Sequence, residues 1–137
     1  MRIVLDTNVL ISGTFWKGDS HKILILIAGG VLTSITSQDI IDEYRKVLAR
    51  DDIVDKVVDK NLVASKIAQG VIDVSVFVKS NLKLNIVQDP TDNKIVECAL
   101  VGNADYIITN DFHLLELKTY NTIKIITPKD FLKLLEK

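Results

Sequence analysis

Along the chain, short runs of β-branched and aliphatic residues alternate with stretches where apolar residues recur every three or four positions. The runs have the length of buried strands, and the recurrences have the period of amphipathic helices. RIVLD at 2–6 reads as a strand, and residues 23–28 read as a helix stopped by Gly29 and Gly30. VLTSIT at 31–36 is a second strand. SQDIIDEYRKVLAR at 37–50 is a helix with Ser37 placed to cap it. Residues 53–79 have a mostly helical pattern, with a break expected near Gly70. LNIV at 84–87 reads as a third strand, and residues 90–102 as a helix that ends at Gly102. YIIT at 106–109 and IKII at 123–126 are two further strands. The last helix has Thr127 as its N-cap and Pro128 at its first position.

Strands that alternate with helices imply an α/β domain with a mostly parallel sheet. In such a sheet a ligand site lies beyond the carboxyl ends of the strands, so that edge is where to look for chemistry. The 137 residues suit a single domain spanning 1–137, and 47% apolar with 26% charged residues is a globular composition. A net charge of -1 excludes a strongly basic nucleic-acid binder, though not a local basic groove. A lone cysteine, Cys98, excludes an intrachain disulfide, and His21 and His113 are too far apart in sequence for the usual zinc spacings. The start of the chain lacks the pattern of a signal peptide, and ILILIAGGVL is too short to span a bilayer. A cytoplasmic protein with no membrane partner is expected.

Most of the eighteen acids read as solvated surface groups. Asp6 differs because it ends the first strand, at the carboxyl edge. Asp111 follows YIIT by two residues and reaches the same edge, although it can also cap the FHLLEL helix. Asp105 precedes that strand and belongs at the opposite edge. Glu43 flanks the apolar face made by Ile40, Ile41, Tyr44, Val47 and Leu48, so it looks back over the sheet. In DPTDNKIVECAL, Asp89 before Pro90 fits an N-cap. Asp92 instead continues the apolar face of Ile95, Val96, Ala99 and Leu100, where a carboxylate needs a partner. Asp6, Glu43, Asp92 and Asp111 can therefore converge. Carboxylates held together repel one another, and a divalent cation is the direct way to keep them ionised. An all-oxygen set without His or Cys favours Mg²⁺ or Mn²⁺, which suits phosphoryl chemistry.

VLDTN, SQDIIDEYRKVL, DPTDNKIVECAL and ADYIITND occur in the order and approximate spacing of PIN-domain proteins, so nearly the whole chain resembles that family. The nearest likeness is to the stand-alone prokaryotic PIN proteins that serve as toxin components of toxin–antitoxin pairs. The resemblance implies a three-layer α/β/α fold with a mostly parallel five-stranded sheet. It implies a Mg²⁺- or Mn²⁺-dependent endonuclease hydrolysing RNA, with single-stranded RNA the favoured substrate. By the same likeness Asp6, Glu43, Asp92 and Asp111 would be the catalytic and metal-binding acids. Asn8 and Thr109 would support them, and Asp89 would stand close by as a further acid. An antitoxin partner and a homodimer are the implied assemblies.

Lys17, His21, Lys22, Arg45 and Arg50 are candidate contacts for an RNA backbone, and Trp16 in GTFWKG is a candidate stacking side chain or a core one. His113 reads as a surface residue. A phosphatase using Asp6 as nucleophile would want a second aspartate where Asn8 stands, and a receiver domain would want an acid pair that VLDTN lacks. The remaining rivals are a PIN-fold module that binds RNA or protein without cutting, and a nuclease acting on DNA.

Overall fold

The computed structural model describes residues 1–50 and 62–136. Its elements in chain order begin with β1 (Arg2–Leu5), α1 (Thr7–Phe15), α2 (Asp19–Ala28), β2 (Thr33–Thr36) and α3 (Gln38–Leu48). They continue with α4 (Leu62–Val74), β3 (Val76–Phe77), α5 (Pro90–Val101), β4 (Tyr106–Ile108) and α6 (Phe112–Leu115). β5 (Thr119–Tyr120), β6 (Ile123–Ile126) and α7 (Pro128–Leu135) complete them. The six strands form one sheet in the order β3-β2-β1-β4-β6-β5, and every neighbouring pair is parallel except β5–β6.

Alternation along the strands divides the core between the two faces of the sheet, as a period of two requires. Ile3, Leu5 and Ile108 face α1, α2, α4 and α7, packing with Val9, Leu24, Ala68 and Phe131. Val4, Ile35, Ile107 and Ile125 face α5 and α6, packing with Ile95, Val96, Ala99 and Leu114. α3 gives Ile41 and Tyr44 to the first cluster and Ile40 to the second. It therefore lies along the boundary between the layers, which is where Glu43 was expected to look over the sheet.

Three of the departures from the sequence reading concern β3, α4 and β5. The third strand is not LNIV but Val76–Phe77, which pairs with Ile35 and Thr36. Residues 84–87 form no strand and bend at 86–87, because side chains of α5 take their amides. The carboxylate of Glu97 accepts Leu84 N at 3.0 Å, and Asn93 Oδ1 accepts Ile86 N at 2.9 Å and Val87 N at 3.1 Å. The second departure is α4, which runs through Gly70 without a break. Ala68, Val71 and Ile72 are buried on its inner face while Gly70 has open space beside it, so packing outweighs the ~1 kcal/mol cost of a helical glycine. The part of the expected helix at 53–61 lies outside the described residues. The third departure is the short antiparallel β5, which raises the strands from five to six; its two residues carry no alternating pattern long enough to be read.

The helix caps follow the sequence. Ser37 Oγ accepts Ile40 N, Thr127 Oγ1 accepts Asp130 N, and the Asp89 carboxylate accepts Thr91 N at 2.9 Å. Among the described residues no helix is long and apolar enough to cross a membrane.

Candidate active site

β1 and β4 run in parallel register with Leu5 opposite Ile108, so the residues that follow them, Asp6 and Thr109, emerge side by side at the carboxyl edge. Two backbone bonds fix this corner, Asp6 N to Ile108 O at 3.0 Å and Thr109 N to Ile126 O at 3.0 Å. Both side chains are buried, and Thr109 Oγ1 donates to Asp6 Oδ2 at 2.6 Å. The same Thr109 oxygen accepts Asp111 N at 2.9 Å, which sets the turn that brings Asp111 back over the edge. One Asp111 oxygen caps α6 by accepting His113 N at 2.7 Å. The capping reading of Asp111 and its placement at the edge are therefore both realised.

α5 lies across β1 and β4 and delivers Asp92 from its first turn onto this corner. Asp92 is 6% exposed, and its Oδ2 atom is buried without a hydrogen-bond partner. Burial raises its pKa first, the negative charges of Asp111, Asp6 and Asp89 raise it further, and the carboxyl is pushed up to about 7. Asp6 is also raised, mainly by burial and further by Asp111, against the opposing pull of Thr109. Its side chain closes no cap hydrogen bond on α1, although the amides of Asn8 and Thr7 lie near enough to favour the ionised form.

The sequence-predicted residues thus divide into groups. Asp6, Asp92 and Asp111 are mutually coupled, with Thr109 bonded to two of them and Asp89 close enough to act on Asp92. Asn8 contributes its amide while its side chain is exposed. Glu43 is half-buried and stands one step away, on the wall of an adjoining cleft of about 240 Å³ with Thr7, Ile40, Pro90, Thr91 and Ile95. Among the described residues, no group of three or more His, Cys, Asp or Glu is placed to hold a metal ion as the side chains stand. The corner instead holds carboxylates near enough to raise the pKa of Asp92, with one buried oxygen unpartnered. An all-oxygen donor set of that kind fits a hard divalent cation, which would satisfy Asp92 Oδ2 and relieve the repulsion at once.

Of the candidate RNA contacts, Lys17, Lys22, Arg45 and Arg50 are exposed. His21 is engaged structurally, with Nδ1 2.8 Å from the carbonyl of Gly13. Trp16 is 45% exposed, rests edge-on against Phe15, and lines a shallow cavity with Asn110 and Lys129 beside the acid corner. His113 is exposed and edge-on to Phe112.

Sequence reasoning missed four residues. Thr7 has a buried hydroxyl with no partner, and the residue lines the same cleft as Glu43. Asn93 and Glu97 are buried one turn apart on α5 and pin the segment that leads into Asp89. Lys94 sits between Asp39 and Glu97 at 3.9 and 3.6 Å. Polar residues spaced i, i+4 beside an apolar face were the available signal for Asn93 and Glu97. Cys98 is inert, because burial pushes its thiol up to about 12.

The family model of the PIN domain matches residues 2–113. In structure the chain is similar to one chain of the VapBC2 complex from Rickettsia felis, crystallised bound to a DNA fragment from the promoter of its genes. The TM-score is 0.60 at 15% identity, covering 91% of this chain and 97% of that one, and at this identity the likeness is one of fold. No curated protein matches the chain in sequence.

Proposed function

The chain belongs to the PIN-domain family, and from that premise we propose that it is a Mg²⁺- or Mn²⁺-dependent endoribonuclease, folded as a single domain. The observation that carries this reading is the buried Asp92 carboxylate, with one oxygen unpartnered and the charges of Asp111, Asp6 and Asp89 acting on it. Such an arrangement costs stability unless something cationic completes it.

Asp6, Asp92 and Asp111 would hold the cation, with Asp89 next to them. When bound, the ion would supply charge neutralisation for the phosphate and activation of the attacking water. Thr109 fixes the orientation of Asp6 and the turn to Asp111 through one hydroxyl. The Asn8 amide would help keep the Asp6 carboxylate ionised. Glu43, on the wall of the adjoining cleft that Thr7 also lines, would orient the attacking water. No covalent nucleophile is required.

The VapBC2 likeness supports a further part of the proposal, that the protein is the toxin of a toxin–antitoxin pair and is held by an antitoxin. A homodimer would lengthen the surface available to a strand of RNA. The alternative is a module that binds RNA or protein without cutting, and the lack of a three-residue metal-holding group among the described residues is the observation in its favour.

Cleavage of a mixed panel of single-stranded RNA and DNA, with Mn²⁺, Mg²⁺ or EDTA, separates these readings. Metal-dependent cutting of RNA that disappears in Asp92→Asn is expected. Cutting confined to DNA would move the substrate class, and cutting by neither protein would favour the binding module.

A further inference from the structure

We propose that the groove running from the acid corner past Lys94 to Phe77 is the track for a single strand of RNA, with Phe77 stacking on a base and Lys79 and Lys94 contacting the backbone. This rests on the nuclease reading and extends it by saying where the strand beyond the scissile phosphate lies.

Continuity is the first ground. The cleft that holds Thr7 and Glu43 adjoins a larger groove of about 490 Å³, and the two share Asp39 and Lys94 on their walls. Thr7 follows Asp6 and Thr91 precedes Asp92 in the chain, so the smaller cleft lies next to the acid corner, although none of the three aspartates lines it. The larger groove has a volume in the range of ligand sites, about 300–1,000 Å³.

The lining is the second ground. Phe77 is 46% exposed on the edge strand β3, which is short but fixed, since it pairs with β2 and Val78 N bonds to Thr36 O at 2.9 Å. A large aromatic held open on a rigid strand is a stacking platform, and every base offers it a π-face. Lys94 is held in place at some cost. Glu97, only 3% exposed, has one oxygen on Leu84 N and turns the other toward Lys94 Nζ at 3.6 Å. Burying a carboxylate does little for stability; here it fixes an ammonium at the junction of the two clefts. Lys79, on the wall of the larger groove, makes no ion pair among the described residues and remains available to a phosphate. A protein strand would need a longer edge to pair with than the two residues of β3.

The test is anisotropy of a labelled, mixed-sequence single-stranded RNA with Mg²⁺ present, in the cleavage-deficient Asp6→Asn background, across a series of salt concentrations. Phe77→Ala is expected to weaken binding about tenfold or more, with Phe77→Tyr restoring it. Lys94→Gln and Lys79→Gln are each expected to lower the slope of log affinity against log salt by about 0.7. Lys124→Gln, at the opposite edge, is expected to change neither affinity nor slope. Unchanged affinity and slope in all three groove variants would overturn the track. If the Asp6-intact protein still cut RNA with metal, the nuclease reading would survive that result. If it did not cut, both would fall. Groove variants that lost a co-purifying protein while keeping RNA affinity would make the groove a protein-docking surface and overturn the proposal as well.

Discussion

The sheet carries a carboxylate problem at each end and solves only one of them. At the amino edge, Asp105 accepts Arg2 N at 2.9 Å, while the Arg2 guanidinium closes the same corner by donating to the Gly102 carbonyl at 2.7 and 3.0 Å. At the carboxyl edge, Asp92 meets Asp6, Asp111 and Asp89, and one of its oxygens has no partner. The same fold that supplies donors to an exposed acid leaves a buried one short of them. Unsatisfied polar groups are concentrated where chemistry is done, because a pre-built site must hold what its ligand will complete.

The sharpest way to break the contrast is Asp92→Asn. It removes a charge without changing shape, and metal-dependent cleavage should fall about a thousandfold, on the scale of the several kcal/mol a metal site contributes. Residual activity near that of the unaltered protein would remove Asp92 from the site.

The next largest effect is expected at Asn93, the buried neighbour that the fold does satisfy. Its side chain serves Ile86 N, Val87 N and Val87 O at 2.8–3.1 Å. Asn93→Ala should cost about 3 kcal/mol in denaturant unfolding, since several backbone groups lose their partners together. Asp92→Asn should instead stabilise the metal-free protein at neutral pH.

Titration should show the same asymmetry. The folded-state pKa of Asp92 is about 7 against 3.8 for a free aspartate, so the folded protein holds a proton that the unfolded chain has already lost. Stability of the metal-free protein should therefore fall as pH rises from about 4 to about 7. Thermal melts across that range, with and without Asp92→Asn, measure this slope, and adding Mn²⁺ at pH 7 should recover the loss. A metal-free protein that gained stability over that window would contradict the picture. At the other edge, Asp105→Asn should cost about 1 kcal/mol or less, because its bond is exposed, and should leave cleavage unchanged.

Much of this was legible in the residues. The strands around Ile3, Ile35, Ile107 and Ile125, the caps at Ser37, Asp89 and Thr127, and the inward placement of Asp92 all follow from local pattern. The third strand did not follow, because LNIV has the composition of a strand while its amides are taken by Asn93 and Glu97, a tertiary fact. Val76–Phe77 is too short to carry a period. α1 went unread because Thr7–Phe15 is apolar on nearly every side, so no helical stripe stands out. In the site, edge position could be read from the strand ends, but the step that separates Glu43 from the three aspartates depends on how α3 packs across the layer boundary. The paired role of the Thr109 hydroxyl is equally a matter of register between β1 and β4.

The measurement that bears most directly on the acid corner is calorimetric titration of the metal-free protein with Mn²⁺ at pH 7, repeated in buffers of different ionisation enthalpy. A cation bound by Asp92 must displace whatever proton that carboxyl carries. With a pKa of about 7, roughly half a proton should be released per ion at pH 7, falling toward none by pH 8.5, and Asp92→Asn should release none. No binding at any pH, or binding equally tight in Asp92→Asn, would mean that the carboxylates at this edge do not hold a metal.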